Sequence, residues 1–184
     1  ELYIAYFDRA PDALGLHFWA DAFSEGMGLA AMAEAFFDQP EHRSLYDEMT
    51  DIPAYITAVY ENVLGRSPDT AGLAFWQGFL EVDAPAHTPI FVQAILAGAK
   101  ATSGSAEDTA YLAGKTTLGT YFAVTTGLSD LAAAQDVMRV YEETEGVLAL
   151  AVEAVDRVYA DMMSSEGSGF IIQTLGVIDW GEVF

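Results

Sequence analysis

The chain has 184 residues, 52% of them hydrophobic and 12% aromatic, which is enough apolar material to fold as one large domain or two small ones. Its 28 acidic residues against 7 basic ones give a formal net charge of −21, and such a surface repels nucleic acids and anionic membranes as partners. The excess of carboxylates has two interpretations: solubility in a salty medium, or the binding of a hard cation such as calcium.

Further classes of protein are excluded by what the sequence lacks. Without cysteine it has no disulfides, thiolate metal sites or cysteine nucleophiles. No stretch approaches the roughly 18 apolar residues of a membrane span, so we expect no membrane insertion. The sequence begins at Glu1 within a predicted helix and without a signal peptide, and we expect it to be part of a longer protein.

The most informative feature of the sequence is an internal repeat whose identities are all offset by 57 residues. The first copy consists of Tyr3, Arg9, Pro11, Asp12, Gly15, Leu16, Phe18 and Trp19, and the second of Tyr60, Arg66, Pro68, Asp69, Gly72, Leu73, Phe75 and Trp76. This many identities in one register are far beyond chance. We therefore predict two tandem units, each made of three helices joined by two turns.

The second copy of the motif is typical of a helix, a stop and a new helix. Hydrophobic residues from Ile56 to Leu64 follow the spacing of an amphipathic helix, which Gly65 ends. Ser67 then suits the N-cap of the next helix and Pro68 its first position. Asp69 falls in the predicted first turn, where the helix dipole favours an anion.

The other motif residues predict packing. The glycine of each copy is expected to let another backbone come close. Leu73 and Trp76 are expected to point into the core, with Phe75 beside them. Because Ala10 stands where the second copy has Ser67, the helix of the first copy is expected to begin less stably, by about 1 kcal/mol. The third helices are predicted at Leu29–Phe37 and Ile90–Leu96.

The second half of the chain is helical again but holds no further copy of the motif. A small, polar linker at 101–109 leads to predicted helices within 111–126, 129–141 and 147–162. A Gly/Ser loop at 164–169 and a short terminal helix reaching Phe184 complete it. We predict an all-α fold with three parts, namely a first helical repeat at 1–50, a second at 51–100 and a C-terminal helical region at 101–184 that packs on the repeats.

The segment from Leu64 to Trp76, Leu-Gly-Arg-x-Pro-Asp-x-x-Gly-Leu-x-Phe-Trp, resembles the DUF4214 family. Its members are small helical modules, often in tandem, in bacterial secreted and cell-surface proteins. Many of those proteins are S-layer-like or carry calcium-binding repeats and leave by type I secretion. The resemblance covers roughly residues 2 to 100. It implies an extracellular location and a non-catalytic role.

The first unit departs from the family pattern in two places. Phe7-Asp8-Arg9 stands where the family usually has Leu-Gly-Arg. The closing Ser-x-Glu-Phe-like segment becomes Gln39-Pro40-Glu41-His42 in the first unit, and we align Gly98-Ala99-Lys100 with it in the second.

Two groups of motif residues allow a functional as well as a structural interpretation. Arg9 with Asp12, and Arg66 with Asp69, form either ion pairs that hold a turn or ligand clamps. An exposed pair of this kind is worth less than about 1 kcal/mol, so its recurrence indicates partial burial. The tryptophans of the motif are either core residues, which their spacing favours, or platforms that stack on sugar rings.

No other residues form a pattern specific to one chemistry. His17, His42 and His87 lack metal-ligand spacing and are expected on the surface. Two acidic clusters are either calcium ligands or solvated surface, although neither fits an EF-hand loop. They consist of Asp47, Glu48 and Asp51, and of Glu142, Glu143 and Glu145. Since no nucleophile elbow or phosphate-binding loop occurs, we expect no enzyme, no catalytic residue and no cofactor, with calcium left open.

These observations favour a non-catalytic module of a bacterial extracellular or cell-surface protein. Its expected role is surface attachment, S-layer-like assembly or matrix interaction, with a polysaccharide or another cell-surface protein as partner. The alternatives are a carbohydrate-binding accessory module of an exported enzyme and a calcium-stabilised structural module.

Overall fold

The structure is a computed structural model that describes residues 1–46, 51–102 and 104–164, and these residues are helical without strands, as predicted. The helices are α1 (Leu2–Phe7), α2 (Ala13–Ser24), α3 (Leu29–Phe37), α4 (Pro40–Leu45), α5 (Ile52–Leu64), α6 (Thr70–Leu80), α7 (Ala84–Lys100), α8 (Ala106–Thr120), α9 (Leu131–Glu143) and α10 (Leu148–Ser164). A π-helical turn, Tyr121–Thr125, continues α8. Within the described part of the chain, no helix is long and apolar enough to cross a membrane. The predicted loop at 164–169, apart from Ser164, and the predicted terminal helix lie outside the described residues.

The three-helix unit occurs twice, as the repeat predicts. We call α1–α3 the first unit and α5–α7 the second unit. Between the first two helices of each unit lie five residues, which begin with a left-handed residue, Asp8 (φ 49°) or Gly65 (φ 67°). Glycine adopts this conformation without a steric penalty, so Gly65 ends its helix as predicted. The third helix of the second unit begins earlier than predicted, at Ala84, because Asp83 caps it by accepting from the amide of Ala86.

The helices of the second half repeat the same layout without the motif. We call α8–α10, with the π-helical turn, the C-terminal unit. Five residues again separate its first two helices, with a left-handed glycine, Gly127 (φ 68°), and a capping aspartate, Asp130. The Asp130 carboxylate accepts from the amide of Ala133 at 2.8 Å. A five-residue connection with a left-handed residue and a capping aspartate therefore occurs here too, although the Arg, Pro and Trp of the motif are absent.

Two hydrophobic clusters form the core and tie the units together. One combines helices of the first and second units with Leu112 of α8, and the other combines the C-terminal unit with Ile4 and Ala10 of the first unit. The amide of Ala10 also donates to the carbonyl of Ala134 at 3.0 Å. The C-terminal helices thus pack directly on the repeats, while the boundaries predicted at residues 50 and 100 stay predictions.

Candidate functional site

The aspartate of each motif is the N-cap of the second helix of its unit. Asp12 accepts from the amide of Gly15 at 2.7 Å, and Asp69 from the amide of Gly72 at 2.6 Å. The prediction that Ser67 caps this helix is therefore wrong, because the short Asp69 carboxylate lies nearer to the free amides of the first turn. Since both copies have this cap, the weaker helix start expected from a missing serine has no basis in the structure.

The prolines of the motif precede the cap rather than beginning the helix. Pro11 and Pro68 each lie one position before the capping aspartate, so Pro68 is not the first helical residue. Proline fixes its own backbone and holds the preceding residue extended, which suits the entry to a cap. Pro11 also packs against the C-terminal unit, since a Cβ built on Gly119 would lie 2.9 Å from the Pro11 Cδ.

The glycine of each motif makes room for a tyrosine hydroxyl, not for another backbone as predicted. A Cβ on Gly15 would lie 2.1 Å from the Tyr3 hydroxyl, and one on Gly72 would lie 3.4 Å from the Tyr60 hydroxyl. Tyr3 and Tyr60 are themselves residues of the repeat, so the motif closes on itself. In the second unit the Trp76 indole also donates to the Tyr60 hydroxyl, at 3.1 Å.

Arg9 is buried, and its hydrogen bonds hold the connection between α1 and α2 against α4. Its side chain is 4% exposed and donates twice to Glu41, from Nε at 2.6 Å and from Nη2 at 2.9 Å. It also reaches Asp12 at 3.3 Å and lies over the Tyr3 ring at 4.9 Å. The predicted pair with Asp12 is therefore present, but the stronger partner of Arg9 is Glu41.

Arg66 makes the equivalent contact with a different residue. It donates to both carboxylate oxygens of Asp108, at 2.8 and 2.7 Å, while its side chain stays 49% exposed. Arg66 thus forms its ion pair with Asp108 rather than with Asp69. Glu41 and Asp108 both lie in the first turn of the helix that follows their unit. The acid that binds each arginine therefore lies at the same place in the fold, although the long α7 puts Asp108 farther along the chain from its arginine than Glu41 is from Arg9.

The motif tryptophans lie half-buried at the edge of the core, and the phenylalanines beside them point outward. Trp19 packs on Phe36, with ring centroids 4.9 Å apart. Phe18 and Phe75 are 62% and 64% exposed, so the expectation that Phe75 packs inward is wrong. No residue of α2 is fully buried, so this helix lies on the surface of the fold.

An apolar groove of about 650 Å³ opens beside Trp19. Its walls come from α1, α2, α3 and α7, with one residue of α8. The lining residues are Glu1, Leu2, Tyr3, Leu16, Trp19, Leu29, Met32, Phe36, Gln93, Ala94, Leu96, Ala97, Lys100 and Thr116. Sequence reasoning missed this groove because its walls come from helices far apart in the chain.

A polar cleft of about 620 Å³ lies near Arg66, where the first, second and C-terminal units meet. It is lined by Asp8, Glu61, Asn62, Gly65, Arg66, Ser67, Tyr111, Glu142 and Glu145. Beside it the fully buried Lys115 pairs with Asp8 at 3.2 Å and with Glu142 at 2.5 Å. Burial raises the pKa of Asp8 to about 6, against the opposing charge of Lys115. The cleft is therefore a structural junction built from charges.

Three described residues of the predicted acidic clusters have other partners. Glu142 pairs with Lys115 and Glu143 with Arg139, while Asp51 caps α5. Asp47 and Glu48 lie outside the described residues. Across 1–46, 51–102 and 104–164, no group of three His, Asp or Glu side chains is placed to hold a metal ion.

Of the three histidines, His42 contradicts the expected surface position. It is 2% exposed and lies in a cage of aromatic rings formed by Tyr6, Phe37, Tyr46 and Tyr55. Desolvation lowers the pKa of His42 to about 4, because the cage disfavours the charged ring. His17 is exposed, as expected, and His87 is half-buried with its ring stacked on Phe79.

Comparison with known proteins identifies one family. Residues 33–93 match the family model described as "Domain of unknown function (DUF4214)". The match runs from α3 into α7 and covers about a third of the chain, so it crosses the predicted boundary at residue 50. No curated protein and no solved structure matches the chain significantly. The expected resemblance is confirmed, and residues 33–93 of this chain belong to the DUF4214 family.

Proposed function

We propose that this chain is a non-catalytic binding module of an exported or cell-surface bacterial protein. The observation that carries the proposal is the exposure of Phe18 and Phe75, at 62% and 64%. They occupy the same place in the two copies of the motif, and the Tyr, Arg, Asp, Gly and Trp around them all have structural partners. A large apolar side chain that recurs on the surface, packed only against the adjacent tryptophan, is typical of an interaction site.

The two phenylalanine rings have similar surroundings. Each packs edge-on against its neighbouring tryptophan, with centroids 5.1 Å apart for Phe18 and 4.9 Å for Phe75. Each ring is therefore held by its tryptophan and stays largely exposed to solvent. Two equivalent sites on one chain suit a partner that itself repeats, since linked contacts raise the apparent affinity without new interactions.

A polysaccharide is the candidate partner that these exposed rings favour, because sugar rings stack on aromatic faces. Another cell-surface protein remains the alternative. The proposed location outside the cell is supported by the family resemblance and by the charge of −21, which suits a salty medium.

Binding to cell envelopes tests the proposal directly. The purified chain is sedimented with envelopes of the bacterium that encodes it, and the bound fraction is compared with that of Phe18→Ser/Phe75→Ser. We expect the double variant to bind at least tenfold more weakly, and each single variant to lose part of the affinity. Val124→Ser is the matched control, since Val124 is 65% exposed in the C-terminal unit.

Two results would overturn the proposal. One is equal binding by the double variant and the wild type, with all variants folded by circular dichroism. The other is recovery of the full-length gene product from the cytoplasm as an active enzyme. Digesting the envelope glycans beforehand separates the partners, because it abolishes binding to a polysaccharide and spares binding to a protein.

A further inference from the structure

The groove beside Trp19 has the size and chemistry of a small-molecule site. Its volume of about 650 Å³ falls within the range of roughly 300–1,000 Å³ that is usual for ligand pockets. Leu16, Leu29, Met32 and Leu96 give it aliphatic walls, and Trp19 adds an indole. Walls of this kind exclude a strongly hydrated ligand and accept an alkyl or acyl chain.

The polar groups of the groove define what else the ligand carries. The formal charges in the lining, Glu1 and Lys100, neutralise each other at 2.6 Å. Thr116 also belongs to the wall, and its hydroxyl is one of two buried side-chain polar atoms without a hydrogen-bond partner in the described part of the chain. A buried hydroxyl left unpaired costs free energy, which a ligand oxygen would recover.

The second unit surrounds its motif tryptophan with one more aromatic ring. Trp76, the counterpart of Trp19, contacts Phe75, Phe79 and Phe91, the last two with ring centroids 5.8 and 5.0 Å away. Trp19 has aromatic contacts with Phe18 and Phe36 and lines the groove. The first unit has Ala22 at the position of Phe79, so the smaller side chain leaves Trp19 with less aromatic cover.

We propose that this groove binds an uncharged amphiphile, an alkyl or acyl chain that ends in a hydroxyl or carbonyl oxygen. The chain packs along the aliphatic wall and Trp19, and the oxygen pairs with the Thr116 hydroxyl. A charged head group is disfavoured, because the charged side chains in the lining, Glu1 and Lys100, are already paired and the net charge of −21 repels anions. This site is separate from the exposed phenylalanines and does not depend on the function proposed for them.

Fluorescence of Trp19 measures the binding. The background variant Trp76→Phe/Trp180→Phe leaves Trp19 as the single tryptophan, and 1-decanol is titrated below its solubility limit. We expect a saturable change with a stoichiometry of one. Decanoate at pH 8 should bind at least tenfold more weakly. In the reciprocal variant, Trp19→Phe/Trp180→Phe, the Trp76 signal should stay constant.

Two substitutions separate ligand binding from loss of structure. Ala94→Phe places a ring in the groove and should abolish 1-decanol binding while the helix content is unchanged. Thr116→Val removes the unpaired hydroxyl and should weaken binding about fivefold, the effect of one hydrogen bond, without lowering Tm. The proposal is overturned if 1-decanol gives no saturable signal, if Ala94→Phe binds like the background variant, or if decanoate binds as tightly as 1-decanol.

Discussion

The first and second units carry the same motif, yet the structure uses it under different conditions. Arg9 is 4% exposed and Arg66 is 49% exposed, although each makes a bidentate pair with an acid in the following helix. Trp19 borders an open groove, whereas Trp76 has an additional aromatic neighbour, Phe79. The shared motif therefore determines the local backbone of each unit. The helices packed around the unit determine how deeply the motif side chains are buried and whether a groove lies beside them.

The largest expected difference between the units is at the arginines. Arg9→Met should lower the free energy of unfolding by about 3 kcal/mol, because it strands Glu41 beside a buried position. Arg66→Met should cost less, about 1 kcal/mol, because Arg66 is 49% exposed and water can take its place beside Asp108, which is 10% exposed. Urea unfolding of both variants measures the two values. Equal losses would show that the burial of the two arginines does not matter.

The second expected effect concerns the free energy of unfolding at acidic pH. His42 follows Glu41 in α4, and its folded pKa of about 4 lies below the unfolded value of 6.5. The unfolded chain therefore binds this proton first, and stability falls as the pH drops from about 6.5 to about 4, by roughly 3 kcal/mol in total. Asp8 acts in the opposite direction in the same window, because its raised pKa makes its contribution decline as the pH rises.

The variant His42→Phe isolates the histidine from this opposing effect. It places in the aromatic cage the residue that the family pattern usually has there. We expect the difference in unfolding free energy between variant and wild type to grow as the pH falls from 7 to 4. A constant difference across that range would mean that His42 is protonated inside the fold.

The glycines predict a smaller contrast. Gly15→Ala should cost about 2 kcal/mol, because the new Cβ would lie 2.1 Å from the hydroxyl of Tyr3, whose ring is held by Phe7 and Phe36. Gly72→Ala should cost less than about 1 kcal/mol, because its Cβ would meet Asp69 Oδ1 at 3.2 Å and the Tyr60 hydroxyl at 3.4 Å, while alanine favours the helix. Thermal unfolding of the pair tests this, and a larger loss for Gly72→Ala would reverse the comparison.

The smallest expected difference between units concerns the capping aspartates, and we expect the losses of stability to be equal in the second and C-terminal units. Asp69→Ala and Asp130→Ala each remove one capping hydrogen bond, of 2.6 and 2.8 Å, and each should cost about 1 kcal/mol. Equal losses would support the C-terminal unit as a third version of the same three-helix layout. A negligible loss for Asp130→Ala would indicate that the cap in the C-terminal unit does not stabilise the fold.

Sequence patterns were most informative where the determinants are local. The helix stop at Gly65 and the helical periodicity follow from residues close to each other in the sequence. The repeat follows from identities between two segments. The structure has all of these features. The C-terminal unit was recognised as helical but not as a repeat of the layout, because a left-handed glycine and a capping aspartate are too common to identify without Arg, Pro and Trp around them.

The candidate sites were much less predictable, for reasons visible at particular residues. Glu41 lies 32 residues from Arg9, and Asp108 lies 42 from Arg66. Spacing within the motif predicts only Asp12, the weaker partner of Arg9, and Asp69, with which Arg66 makes no ion pair. The exposure of Phe18 and Phe75 depends on whether another helix covers α2 or α6, which no local pattern encodes. His42 is buried because α4 turns it into an aromatic cage.

The sequence by itself determined the repeat, the helical class, the absence of disulfides and the family to which residues 33–93 belong. These properties depend on composition and on short-range backbone preferences. Only the tertiary structure decided which arginine is buried, which acids the arginines bind and which tryptophan faces an open groove. Those outcomes depend on helices that meet across long stretches of chain, since burial and ion pairing are set by neighbours in space rather than in sequence.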